Sequence, residues 1–378
     1  MVVRSCELHL RHLRKHRSRK SRNRRARFRR EATPHSTSCA THSSLLSIHL
    51  APEPCISAVA DLSRVVFKTL IAASAFSSSG IMSSLNVFPS LSTLFRVFSL
   101  LSVLSVSSIA SLLYLYQGKL IYPSNLPAGA RTDTTNPSDF SLPFEDLALK
   151  TPDGEKLQAW FIRPDEKGQE RKMTVVMFQA NAGNIAHRLP LAAIFYKRLA
   201  VNVLMLSYRG YGLSTGSPNE AGIKIDAQVA LDWLKARLWP ESKSKREGID
   251  SSSHNVILYG QSLGGAVAID AAVRNGNWVR GLILENTFLD IPSLIPSVLP
   301  PARFFTWLCR EVWSSRTRLP QLDKGVKVLF LSGKDDELVP PSQMRELYRV
   351  CRHKEGSGKE WSEFEEGTHN DTCMKVSS

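Results

Sequence analysis

The sequence predicts an α/β fold, a mostly parallel central sheet covered by helices on both faces and preceded by one transmembrane helix. Three observations carry this expectation. Short apolar runs recur between residues 173 and 333 and alternate with segments of helical period. Runs without a polar face belong to strands buried inside a parallel sheet. One of them, "NVILYG" (255 to 260), passes through a Gly-x-Ser-x-Gly turn directly into a segment rich in small residues. Ahead of all of them, twenty uncharged residues run from Val97 to Tyr116.

The chain begins with a basic stretch. Residues 1 to 116 carry 16 Lys and Arg against 4 Asp and Glu, whereas residues 117 to 378 carry 33 against 30, so the net charge of +15 belongs to the N-terminal part. Within it, "RHLRKHRSRKSRNRRARFRR" (11 to 30) is a block of like charge that repels itself and cannot bury a core. Residues 1 to 81 are therefore expected to be a basic, disordered extension, with Met82 an alternative start. A basic patch confined to such a tail, beside a nearly neutral remainder, gives no reason to expect a nucleic-acid partner.

The uncharged run "VFSLLSVLSVSSIASLLYLY" is long enough, at about 1.5 Å per residue, to cross roughly 30 Å of hydrocarbon. Its serines can bond back to the helix's own carbonyls. A membrane anchor is expected over residues 93 to 118, with Tyr114, Tyr116 and Tyr122 at one interface. Arg64, Lys68 and Arg96 precede the span and Lys119 follows it, which orients the N-terminus to the cytoplasm. The domain after it, residues 119 to 378, opens with a Pro, Ser and Thr rich connector over 120 to 143.

Periodicity then begins. "KLQAWFIR" (156 to 163) alternates as a strand does, and "MTVVMFQ" (173 to 179), "NVLMLSY" (202 to 208), "NVILYG", "GLILEN" (281 to 286) and "KVLFLSG" (327 to 333) are buried-strand runs. Helices are expected over 185 to 200, over 218 to 238 opened by Pro218, and over 263 to 275. A further short strand precedes His369. The cysteines show no paired spacing, so neither a disulfide framework nor a metal site is expected, and no motif calls for a cofactor.

The Gly-x-Ser-x-Gly pattern occurs twice, at Ser214 and at Ser262. A nucleophilic serine needs a strand ending in a sharp turn and a helix N-terminus facing the developing negative charge. Ser262 has both. Ser214 lies six residues past its strand, and "GSP" follows before a helix can start, so it reads as part of a loop.

A serine hydroxyl also needs a base, and the base a carboxylate. "LSGKDDELVPP" (331 to 341) offers Asp335 and Asp336 beyond a strand run, and "FEEGTHNDT" (364 to 372) offers His369, in the chain order Ser, acid, His. His187, His254 and His353 are read as ordinary surface residues. An oxyanion would be held by two backbone donors, the N–H of Leu263 and an N–H of the loop "QANAGN" (179 to 184), that of Asn181.

With these residues in place the chain resembles the α/β-hydrolases, and within them the bud-emergence, or Bem-type, branch. The resemblance rests on "LIYPSNLP" (120 to 127), "NAGNIAHRLP" (181 to 190), "YRGYGLSTGSPNEAG" (208 to 222), "YGQSLGGAVAID" (259 to 270), "ENTF" (285 to 288), "SGKDDELVPP" (332 to 341) and "GTHND" (367 to 371). It implies that Asp336 is the acid, because the family pattern Gly-x-x-Asp-x-x-Val-Pro falls on Gly333, Asp336, Val339 and Pro340. It also implies an endoplasmic reticulum membrane protein with one span. Two departures stand out: Gln179 and Ala180 occupy the place of His-Gly in many relatives, and the family's closing helix is missing after His369.

The expected function is a membrane-anchored serine hydrolase that cleaves carboxylic esters or thioesters of a lipid-like or acylated substrate through an acyl-enzyme. The apolar stretch "LDIPSLIPSVLPPARFFTWLC" (289 to 309) reads as a lid and favours that substrate class. The alternatives are a serine peptidase using the same residues and a noncatalytic scaffold for membrane polarity. No protein partner is readable.

Overall fold

The computed structural model describes residues 91–133, 135–164, 171–240 and 254–375. The basic extension at 1 to 81 and Met82 lie outside the described residues. The described chain divides into two units, residues 91–103 and residues 104–375.

A helix, α1, spans Leu91–Ile121 and contains the expected anchor. Its 31 residues exceed the roughly 20 needed to cross a bilayer. Gln117 is its buried residue.

The larger unit is built on an eight-stranded sheet of order β1-β2-β4-β3-β5-β6-β7-β8. The strands are β1 (Phe144–Lys150), β2 (Lys156–Ile162), β3 (Met173–Phe178), β4 (Asn202–Leu206), β5 (Asn255–Gln261), β6 (Val279–Glu285), β7 (Lys327–Gly333) and β8 (Lys359–Phe364). From β4 to β8 all pairings are parallel, while β2 runs antiparallel to both β1 and β4. The sheet is thus mixed at one edge and parallel through its centre.

Alternate residues of the central strands feed two separate cores, which is why these strands read as continuous apolar runs. Val176 and Phe178 of β3 join Leu206, Leu258 and Leu284 on one face; Val175 and Met177 join Val203, Ile257 and Leu329 on the other. The first face is covered by α3 (Glu220–Leu238), α4 (Leu263–Asn275) and, after α5 (Ile291–Val298) in the stretch expected to form a lid, by α6 (Pro341–Val350). The second packs against α2 (Leu189–Arg198) through Leu189, Leu191 and Phe195. Each fully buried large side chain such as Phe178 or Phe195 contributes about 1.5–3 kcal/mol.

Three local expectations are corrected. Helix α3 starts at Glu220, because Asn219 caps it by accepting the Gly222 N–H at 2.8 Å, so Pro218 stays outside. Tyr122 is buried rather than interfacial: its hydroxyl donates to Glu311 at 2.6 Å and accepts the Trp313 indole N–H at 2.8 Å. Strand β1 was not anticipated, since its residues form an antiparallel edge exposed along much of its length.

Candidate active site

Strand β5 ends at Gln261, and Ser262 turns the chain with φ 54° and ψ −120° before α4 begins at Leu263. That conformation is strained for a residue with a side chain, by about 1–3 kcal/mol. It is held by three hydrogen bonds: Ser262 N–H to the Glu285 carbonyl at 3.0 Å, Gly265 N–H to the Ser262 carbonyl at 2.9 Å, and Thr287 Oγ1 to that same carbonyl at 2.7 Å. The flanking glycines are sterically required. A Cβ on Gly260 would lie 2.0 Å from the Gly264 carbonyl oxygen, and one on Gly264 would lie 2.1 Å from that of Phe178.

The close approach of Gly264 to the end of β3 brings the start of α4 against the loop "QANAGN". A Cβ on Gly264 would also meet the Gln179 carbonyl oxygen at 2.7 Å. Leu263 and the segment leading to Asn181 are therefore neighbours. Leu263 is the first residue of α4, where an N–H has no carbonyl of its own helix to bond and the helix dipole favours negative charge. The Asn181 side chain, by contrast, braces the loop. Its Nδ2 donates to the Ile121 carbonyl at the end of α1, and its Oδ1 accepts the Tyr211 hydroxyl at 2.9 Å.

Asp336 and His369 are in direct contact. His369 Nδ1 lies 3.0 Å from each carboxylate oxygen of Asp336, so an ionised carboxylate accepts the Nδ1 proton and Nε2 is left to accept another. Asp336 is itself oriented by the N–H groups of Leu338 at 2.9 Å and Val339 at 2.8 Å. All three of Ser262, Asp336 and His369 are buried, whereas Asp335 is exposed.

Ser262 is coupled to this pair through its neighbours. Gln261 Nε2 donates to the His369 carbonyl at 2.7 Å. Asn286, just past β6, donates from Nδ2 to the carbonyls of Thr368 at 3.0 Å and His369 at 3.2 Å, and to Thr372 Oγ1 at 2.9 Å, while its Oδ1 accepts the Gly333 N–H at 2.8 Å. One amide thus fastens the loop after β7 to the loop that carries His369. Residue-by-residue reasoning missed both Gln261 and Asn286, although "ENTF" and "YGQSLGG" already stood among the family motifs.

Beneath the site Glu285 is fully buried, accepting the Tyr259 hydroxyl at 2.6 Å and the Cys373 N–H at 2.9 Å. Burial pushes its carboxyl above the ordinary range, against the opposing pull of those two hydrogen bonds.

The other candidates fall elsewhere. Ser214 is fully buried; its hydroxyl donates to the Ser207 carbonyl at 2.8 Å and accepts the Gln158 N–H at 2.9 Å, which ties the loop after β4 to β2. His187 is exposed. His254 and His353 are buried rather than on the surface, each against a partner from another element: His254 Nε2 pairs with Thr174 Oγ1 at 2.8 Å, and His353 Nε2 with the Asp323 carbonyl at 3.0 Å.

An apolar cavity of ≈ 210 Å³ opens between the end of α1 and the segment expected to be a lid, which consists of α5 and the 3-10 helix Pro300–Leu308. Asn181 lines it.

No family model matches the chain. Among curated proteins it is 43% identical to the protein bem46 of Schizosaccharomyces pombe over 264 residues, 69% of this chain and 83% of that one. It is 41% identical to the uncharacterized membrane protein YNL320W of Saccharomyces cerevisiae, covering 70% and 86% of the two chains. It is 38% identical to the alpha/beta hydrolase domain-containing protein WAV2 of Arabidopsis thaliana, covering 70% and 84%. Among solved structures, an alpha-beta hydrolase from Vibrio vulnificus aligns with a TM-score of 0.52 at 20% identity, over 68% of this chain and 88% of that one.

Proposed function

The chain belongs to the α/β-hydrolases, in the Bem46 branch, and from that premise we propose that it is a membrane-anchored serine hydrolase that cleaves carboxylic esters or thioesters. The observation that carries the proposal is the Asp336–His369 pair, fastened by Gln261 to the strained turn of Ser262.

In the proposed reaction His369 Nε2 takes the Ser262 proton as Oγ attacks the acyl carbon. The carbonyl oxygen, now an anion, is held by the N–H groups of Leu263 and Asn181, each worth about 3–4 kcal/mol of barrier. Collapse breaks the bond to the leaving alcohol or thiol, which receives the proton from His369. Water then repeats the sequence on the acyl-serine and releases the acid. Asp336 keeps the imidazole in the tautomer with Nδ1 protonated and stabilises its cation.

The apolar cavity beside Asn181 favours a lipid-like acyl group over a peptide. Helix α1 supports a membrane anchor, as does the 41% identity to the membrane protein YNL320W. The basic residues on the N-terminal side of α1 support a cytoplasmic N-terminus with the catalytic unit across the membrane, and the family resemblance suggests the endoplasmic reticulum as compartment. The test is labelling with a fluorophosphonate, which reacts only with an activated serine. The full chain in membranes is expected to label, and Ser262→Ala to abolish the signal. An unlabelled native chain would remove the hydrolase reading.

A further inference from the structure

We infer that the anchor helix is also part of the substrate site, and that the cavity it shares with the lid takes one fatty-acyl chain of a membrane lipid, admitted sideways from the bilayer. This deepens the hydrolase reading and rests on it.

The walls come from two sources. Leu113 and Ile121 of α1 form one, and Leu294, Ala302 and Phe305 of the lid the other. Leu113, Gln117 and Leu120 recur on one helical face and border the cavity; Gln117 is buried, Leu113 half-buried and Leu120 49% exposed. The helix end is latched to the lid through Gln117. Its Nε2 donates to the Leu308 carbonyl at 3.2 Å and to that of Tyr114 at 3.0 Å, and its Oε1 accepts the Arg310 N–H at 2.7 Å. A tether that held the enzyme near a membrane and did nothing else would need no buried amide bonding Leu308 of the lid and Arg310 just after it.

The occupant's chemistry follows from the lining. The polar side chains that border the cavity are already engaged: both ends of the Gln117 amide, both ends of the Asn181 amide, and the Cys309 thiol, which donates to the Glu311 carbonyl at 3.3 Å. With those side chains engaged and the rest of the lining apolar, the cavity favours an apolar guest. An apolar cavity of about 150 Å³ is enough to stay dry and take up small hydrocarbons, and this one is ≈ 210 Å³. Asn181 on its lining sets one end of the guest beside the loop next to Ser262, as an acyl chain requires when its carbonyl is the reacting group.

The source is the bilayer. With the uncharged span at 97 to 116, the last five residues of α1 stand beyond it, at the membrane surface. On the lid, Phe304 is 67% and Trp307 76% exposed, and Arg303 stacks on Phe304. Exposed aromatic and basic side chains together suit the headgroup region of a bilayer. A lid resting on the surface from which α1 emerges opens the cavity towards lipid.

The test uses the full chain in phosphatidylcholine vesicles containing a phosphatidylcholine whose fatty-acyl chain carries a diazirine. After irradiation of the native chain and of Ser262→Ala, crosslinks are expected on residues 113–121 and 291–309. Leu113→Trp on one wall and Ala302→Trp on the other are each expected to reduce those crosslinks at least tenfold. Both are also expected to lower at least tenfold the ratio of kcat/KM for a dodecanoyl ester to that for an acetyl ester. Crosslinks that fall elsewhere, or that persist in both tryptophan variants, overturn the inference, and the hydrolase reading stands if acetyl ester is still cleaved. Crosslinks at the expected residues in a chain with no Ser262-dependent hydrolysis leave the lipid site standing and overturn the hydrolase reading.

Discussion

Gln261 Nε2 lies 2.7 Å from the main-chain carbonyl of His369, so the residue that ends β5 holds the loop that carries the proposed base. Gln261→Leu is expected to lower kcat on a short-chain ester about tenfold with little change in KM, because the imidazole loses alignment while the substrate pocket is kept. The effect is partial because Asn286 Nδ2 donates to the same carbonyl at 3.2 Å. Stability should fall by about 1 kcal/mol, the net worth of one such bond. Unchanged kcat in a fully folded variant would refute this positioning role.

The two serines in equivalent motifs should separate cleanly. Ser262→Ala is expected to abolish fluorophosphonate labelling with little loss of stability. Ser214→Ala should keep the labelling yet destabilise the fold by about 1–3 kcal/mol, since it strands the buried Ser207 carbonyl and Gln158 N–H. Labelling and thermal unfolding measured on both variants decide the assignment.

The adjacent carboxylates offer a second contrast. Asp336→Asn is expected to cost about 10³- to 10⁴-fold in kcat, because an amide cannot hold the imidazole in the same tautomer as a carboxylate does. Asp335→Asn, at an exposed position, should change kcat less than twofold. Equal losses in the two variants would sink the choice of acid.

How far the sequence reveals these features depends on whether their cause is local. The turn at Ser262 was legible because an apolar strand, two flanking glycines and a small-residue helix lie within twenty consecutive residues. Asp336 and His369 were legible as loop residues after strands, but the choice of Asp336 over Asp335 required the family pattern. What escaped depends on distant partners. Gln117 belongs to the end of an apolar span, and only the lid, 191 residues later, explains it. His254 and His353 sit among polar neighbours in sequence, and burial came from Thr174 and Asp323 in other elements. Strand β1 carries Glu145 and Asp146 and, at a sheet edge, needs no apolar face on both sides.

Glu285 predicts a pH dependence of stability. Burial raises its folded-state pKa above the unfolded value of about 4.3. Such a group stabilises the fold fully below that value, and its contribution is lost as pH rises towards the folded pKa. Glu285→Gln lacks this titration and can still accept the Cys373 N–H. The difference in Tm, variant minus native, is therefore expected to increase between pH 4 and pH 8 at constant ionic strength. Parallel curves for the two proteins would show that the buried carboxyl does not govern this range.

The proposed orientation has a reporter written into the chain. Asn370-Asp371-Thr372 matches the acceptor pattern for N-linked glycosylation, the one match in the sequence. Asn370 is exposed, one residue after His369, while Thr372 is buried with its hydroxyl bonded to the Thr368 carbonyl at 2.7 Å. With the N-terminus in the cytoplasm, the catalytic unit enters the compartment where this asparagine can be modified before Thr372 is packed away. The chain expressed in microsomes is expected to withstand alkaline carbonate, to resist external protease over residues 122–375, and to show a mobility shift that a glycosidase removes and Asn370→Gln prevents. Digestion of the catalytic unit in sealed vesicles would reverse the orientation and place Ser262 on the cytoplasmic side, with α1 still anchoring it.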